Sequence, residues 1–205
     1  MDGMNKRFMG DPAAFLRTTA IFEAGMFGAN PPAQGLATLD LRPYGAAVRL
    51  DSFAQRGKAA GSHSHQILAH WLPWQSRGTA EIQLDNGADY FFTSQLAGCQ
   101  IRIIPGAPRG AGRTNHPIVR HIAGDRLDPR ADVNGTVWRN QQAAHNVTAP
   151  VFARSRALSS TGAGAHGYRG EGVNVVGFIS WMRWKFWAQQ IDFDNRTVLR
   201  CWEIT

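Results

Sequence analysis

Two cysteines occur in this chain of 205 residues, Cys99 and Cys201, and the first sits in a setting suited to chemistry. Cys99 follows Leu96-Ala97-Gly98 in "ADYFFTSQLAGCQIRII", with apolar, β-prone residues on both sides. A thiol becomes a useful nucleophile when an adjacent imidazole takes its proton and a third group orients that imidazole. Gly98 lets the backbone beside the thiol adopt unusual dihedrals or come close to a substrate. Amides of such a turn are suited to hold an oxyanion. The competing reading is a packed, inert cysteine, because free cysteine is among the most buried side chains. Residue type and spacing leave that choice open. Cys201, in "RTVLRCWEIT", shares a strand face with Leu199 and Glu203 and reads as structural.

Two other constellations carry chemical side chains. In "HSHQILAH", His63 and His65 would share a strand face and could place two imidazoles on one metal. His70 would point away from both, and no Cys or Glu nearby completes the set, so solvated loop histidines are the simpler reading. In "SWMRWKFW", read as one strand, Trp181, Arg183, Lys185 and Trp187 would share a face opposite Met182, Trp184 and Phe186. Bases can stack on such tryptophans while the cations hold phosphates. A half-buried strand with basic stems lying over tryptophan has the same sequence.

The elements that must position these residues are mostly short strands. Residues 11–25 read as a helix: Asp11 as its cap, Pro12 in the first turn, Gly25 at its end, and Phe15, Leu16 and Phe22 on the buried side. "LATLDLRP" and "AAVRLDSF" flank Tyr44-Gly45 as a hairpin. "QILAHWLPW" is a strand, and "TAEIQLDNGADYFFTS" reads as a hairpin turning at Asn86-Gly87. "CQIRII" and "PIVRHI" follow as strands around a Gly/Pro/Arg-rich loop, then a polar, helix-compatible stretch over residues 135–146. "GVNVVGFISWMRWKFW" and "RTVLRCWEI" close the chain as strands. The expectation is an α+β fold, mostly β, with a β-sandwich-like core and flanking helices, as a single domain over residues 1–205.

Composition sets the outer bounds. Gly and Pro together number 32, which disfavours a helical bundle, and two cysteines make no disulfide framework. The N-terminal stretch mixes charges where a signal peptide needs an apolar core, so no leader is expected. The apolar run from Val173 to Trp187 is broken by Asn174, Ser180, Arg183 and Lys185, so no membrane span is expected there. A net charge of +7 favours acidic partners, nucleic acid or an acidic protein surface. The arginines are dispersed rather than clustered, which weakens the nucleic-acid reading.

"WLPW" at 71–74, "FFT" at 91–93 and "LAGC" at 96–99, with weaker similarity through "IVRHI" and "VVGFIS", resemble the lethal factor family of Burkholderia. Those glutamine deamidase toxins share their catalytic core, and a Leu-x-Gly-Cys signature, with the cytotoxic necrotizing factors. The resemblance is dense over residues 67–104. It implies Cys99 as nucleophile, Thr93 as the residue whose oxygen orients the histidine, and His121 in "PIVRHI" as that histidine, with His116 as the alternative. The separation of Cys99 from His121, twenty-two positions, is longer than the family pattern leads one to expect, and the loop at 105–115 absorbs the difference. The implied activity is Cys-His conversion of a glutamine to glutamate in a host protein, with no metal and no organic cofactor. The implied partner is the DEAD-box helicase of translation initiation, then a Rho-family GTPase, with neither nucleic acid nor membrane required. The implied actor is a monomer secreted without a leader and working in the host cytoplasm. The alternatives are another thiol hydrolase, protease or transglutaminase-like enzyme, and a basic nucleic-acid-binding protein without catalysis.

Overall fold

The computed structural model describes residues 3–23, 32–52, 66–75, 78–96, 99–106, 116–123, 156–159 and 172–204. Among the described residues the fold is mostly β with two short flanking helices, as expected. Helix α1 (Gly3–Gly10) and helix α2 (Pro12–Thr18) come first. The strands are β1 (Ile21–Phe22), β2 (Gly35–Tyr44), β3 (Ala47–Ser52), β4 (Ile67–Leu72), β5 (Thr79–Gln83), β6 (Tyr90–Thr93), β7 (Gln100–Ile104), β8 (Ile118–Ile122), β9 (Arg156–Ser159), β10 (Val173–Ser180), β11 (Arg183–Asp192) and β12 (Thr197–Glu203). An eight-stranded sheet runs β1-β3-β2-β4-β6-β10-β11-β12, and a four-stranded sheet runs β5-β8-β7-β9.

Period-2 alternation splits the strands of the large sheet between two cores. Ile67, Ala69 and Trp71 of β4, Phe92 of β6, Val176 and Phe178 of β10 and Trp187 of β11 face the first core, under α1 and α2. Their sequence neighbours Leu72, Phe91, Val175, Phe186 and Ala188 face the second core, which the small sheet closes with Ile101, Ile103 and Val119. The large sheet is therefore buried on both faces along its centre, and such strands read as continuous apolar runs. Gly177 lies beneath the second core, where an added Cβ would meet the Phe186 ring at 3.0 Å and Phe91 Cβ at 3.2 Å. Absence of a side chain there lets Phe91 and Phe186 meet edge to face, centroids 6.0 Å apart.

The large sheet curls so that its first strand returns toward its far half. Ile21 N–H donates to Gln189 Oε1 on β11 at 2.9 Å, and its carbonyl accepts from Asn174 Nδ2 on β10 at 2.5 Å. Gln189 Nε2 also bonds the carbonyls of Leu16 and Thr19, so two buried carboxamides tie the α2–β1 segment to the sheet.

Four sequence expectations need correction. The first helix stops at Thr18: Asp11 caps it, accepting from Ala14 N–H at 2.9 Å, but Thr19 ends it and Phe22 lies in a strand. The β-branched residues Thr19 and Ile21 lose side-chain freedom in a helix, and both take the extended form here. A second helix, α1, precedes it unannounced. Asn86-Gly87 is a turn, with Gly87 N–H bonded to Asp85 Oδ1 at 2.7 Å, yet its flanks do not pair. β5 joins the small sheet and β6 the large one. Finally, "GVNVVGFISWMRWKFW" is two strands, paired Ser180 to Arg183 through a loop of only Trp181 and Met182. Beyond that turn the expected faces hold: Trp184 and Phe186 enter the second core and Trp187 the first. The helix-compatible stretch at 135–146 lies outside the described residues.

Candidate active site

Thr93 closes β6 and Leu72 closes β4, opposite one another in parallel register. The Thr93 hydroxyl donates to the Leu72 carbonyl oxygen at 2.8 Å. Its Oγ1 lies 2.9 Å from His121 Nδ1. A hydroxyl has one proton, and a carbonyl can only accept, so the second contact must run from His121 Nδ1–H to Thr93. His121 thus carries its proton on Nδ1 and leaves Nε2 unprotonated. This bond spans the two sheets, since Thr93 belongs to the large one and His121 to β8 of the small one.

β7 and β8 bring Cys99 to the same place. They pair antiparallel with Ile101 opposite His121 and Gln100 opposite Ile122. Cys99, two residues before Ile101, shares its face, toward the second core. Cys99 is therefore the diagonal neighbour of His121, a relation that sets Cα atoms about 7–8 Å apart, with side chains closer. Cys99 is reduced and only 3% exposed, and His121 is wholly buried. His121 Nε2 has no hydrogen-bond partner among the described residues, the thiol included. The thiol–imidazole hydrogen bond is thus not made at rest, and catalytic contacts of this kind often tighten only with substrate present.

Burial pushes the His121 pKa down to about 3. The ring is neutral at physiological pH and forms no ion pair with a thiol at rest. Proton transfer to Nε2 would accompany attack by the sulfur rather than precede it. The other histidine of this region is elsewhere: His116 Nε2 contacts Asn86 Oδ1 at 3.1 Å on the surface.

After Thr93 the chain runs to Leu96 as a strap whose three residues are each hydrogen-bonded to their surroundings. Ser94 N–H bonds the Leu72 carbonyl at 3.1 Å, and Leu96 exchanges two backbone bonds with Val173. Gln95 N–H donates to Glu23 Oε2 at 2.8 Å, and its side chain reaches Asn174 Oδ1 at 3.4 Å. Glu23 is buried, and burial raises its carboxyl well above the ordinary range against the opposing effect of the Gln95 N–H. Its Oε1 has no partner among the described residues. Reading the sequence missed this network of Glu23, Gln95, Asn174 and Gln189. The available signal was polar carboxamides at Asn174 and Gln189 inside otherwise apolar strands.

Of the remaining sequence candidates, Cys201 and His70 fall away from this centre. Cys201 is half-buried on β12 against the first core, and burial lifts its pKa to about 11 despite nearby Arg17. His70 is buried on β4 with Nε2 3.2 Å from the Asp85 carbonyl. His63, His65, Gly98 and most of the 105–115 loop lie outside the described residues. Among the described residues, no group of three His, Cys, Asp or Glu side chains is placed to hold a metal ion. Compared with known proteins, the chain matches no family model and no curated sequence.

Proposed function

We propose that this protein is a cysteine-dependent glutamine deamidase acting on another protein. One observation supports it above the others: a buried imidazole, its Nδ1 proton held by Thr93, with an unpaired Nε2 on the sheet face that carries Cys99. A base oriented by a third group beside a thiol is the arrangement that nucleophilic acyl transfer requires. The resemblance of "FFTSQLAGC" to the lethal factor family supports glutamine as the acyl donor.

The reaction proceeds in two halves. Cys99 gives its proton to His121 Nε2 as the sulfur attacks the carboxamide carbon, and the carbonyl π electrons move to oxygen. The C–N bond of the tetrahedral species then breaks, and the imidazolium returns its proton to nitrogen, releasing ammonia and leaving a thioester. Water, deprotonated by the same Nε2, attacks the thioester, and Cys99 leaves with that proton to give glutamate. Throughout, Thr93 accepts from Nδ1–H, which keeps Nε2 available and steadies the transient imidazolium. The target is the DEAD-box helicase of translation initiation, with a Rho-family GTPase second, and the protein acts after secretion into a host cytoplasm.

Peptide mass spectrometry of both targets after incubation with wild type and Cys99→Ser tests this. The expected result is one Gln-to-Glu conversion made by wild type alone. Conversion by both proteins would remove Cys99 from the chemistry. The burial of Cys99 favours a second reading, a thiol that only packs the second core. On that reading neither target changes, and Cys99→Ala costs stability alone.

A further inference from the structure

The loop joining β10 to β11 is two residues long, Trp181 and Met182, between the paired Ser180 and Arg183. Both central residues have left-handed backbones, φ 51° at Trp181 and 62° at Met182. A two-residue hairpin with positive φ at both positions selects Asn-Gly, and a bulky side chain there is strained. Trp181 is nevertheless 95% exposed and Met182 53%. No packing gain repays that strain, because neither side chain enters a core. The tip therefore holds two large apolar groups in water at the expense of turn geometry, and strain of this kind is characteristic of functional sites.

The surroundings define what the tip suits. Arg183 is exposed beside it, and Lys185 follows two residues later, within 3.5 Å of Glu203. The next apolar residues, Trp184 and Phe186, are already buried, so the spike offers two side chains and no broad apolar face. A stable protein–protein contact buries about 800 Å² on each partner. A bilayer interface needs no matching surface, takes tryptophan readily at headgroup level, and attracts arginine and lysine through anionic lipids. The net charge of +7 acts in the same direction. Position matters as well. Leu96, on the strap before Cys99, is bridged to Val173 at the first residue of β10, whereas the tip follows the last. Seven steps of extended chain put roughly 23 Å between them. A tip seated in lipid leaves the Cys99 end facing water.

We propose that Trp181 and Met182 form a membrane-docking spike that seats reversibly in the interface of anionic bilayers, with Arg183 on the headgroups. No described helix is long and apolar enough to cross a membrane, and the contact proposed is a peripheral one made by two side chains. It revises the expectation of no membrane partner, and it is independent of the chemistry at Cys99.

Cosedimentation with phosphatidylcholine vesicles, with and without phosphatidylserine, tests it on the full chain. Wild type should bind the anionic vesicles. The double variant Trp181→Asn, Met182→Gly installs the pair the turn prefers, so it should melt at or above the wild-type temperature yet lose about tenfold or more in vesicle affinity. Arg183→Gln should lose about fivefold. Brominated lipid should quench wild-type fluorescence and leave Trp181→Phe largely unquenched, a readout that does not depend on the double variant folding. Failure of wild type to bind, wild-type affinity in the double variant, or equal quenching of both proteins would overturn the proposal. So would a tip that ignores vesicles and crosslinks instead to a purified protein substrate.

Discussion

Thr93→Val is the most informative single change, because valine keeps the shape of threonine and removes only the hydroxyl. That hydroxyl has two bonds, to the Leu72 carbonyl at 2.8 Å and from His121 Nδ1 at 2.9 Å. Leu72 retains a second donor, Ser94 N–H at 3.1 Å, so its carbonyl is not orphaned. His121 Nδ1–H is orphaned inside a wholly buried ring. Leaving a buried donor unsatisfied costs about 1–3 kcal/mol. For a chain of this size that corresponds to a fall in Tm of roughly 2–12 °C. Neither ring nitrogen then has a partner among the described residues, so the bias toward Nδ1–H is lost and the Nε2–H tautomer, which removes the base, competes with it. Two-bond ¹H–¹⁵N imidazole spectra report the tautomer directly. Wild type and Thr93→Ser should show the Nδ1–H form, and Thr93→Val a shift toward Nε2–H. Turnover of a confirmed target should fall by about 10²-fold or more, the usual contribution of an acid–base group. A valine variant with the wild-type tautomer and wild-type stability would refute the assignment of Thr93 as the group that orients His121.

Further outcomes follow from the same geometry. Folding excludes a proton from His121, so this group's stabilisation is complete above pH about 6.5 and fades toward pH about 3, by up to about 1.4 kcal/mol per unit. Glu23 acts with the opposite sign: its raised folded pKa makes its contribution decline as pH rises from about 4.5. The two slopes oppose one another between about pH 4.5 and 6.5 as long as Glu23 stays protonated. Glu23→Gln, which keeps an acceptor for Gln95, should therefore steepen acid destabilisation in urea titrations across that window; an unchanged slope would contradict it. His121→Ala should abolish target turnover, whereas His116→Ala, which loses one exposed contact to Asn86, should keep most of it; the reverse order would reassign the base. Cys201→Ala should retain turnover at a stability cost of roughly 1 kcal/mol, measured by denaturant unfolding.

How far the sequence disclosed this arrangement depends on the range over which each feature acts. Local signals carried well: Asp11-Pro12 began a helix, and the apolar, β-prone runs in "QILAHWL" and "YFFT" marked strands. The Asn86-Gly87 turn was visible too, but a turn fixes only a reversal of direction, and competition between two sheets decided the partners. The Trp181-Met182 hairpin was hidden because neither residue favours a turn. The Glu23–Gln95 bond joins residues 72 apart and the Ile21–Gln189 bond residues 168 apart. Only the curl of the large sheet brings them together, and no local pattern encodes it. Cys99 and His121 drew attention by residue type and resemblance. That they share one face of one strand pair follows from register, which the structure supplies.

The central claim is that Cys99 is a nucleophile served by His121. It can be tested without knowing the target, by treating the folded protein with a chloromethyl ketone analogue of glutamine and mapping the adduct by peptide mass spectrometry. The account predicts alkylation at Cys99 and not at Cys201, largely lost in His121→Ala. An unlabelled Cys99, or equal labelling with and without His121, would contradict it and leave Cys99 as a packing residue of the second core.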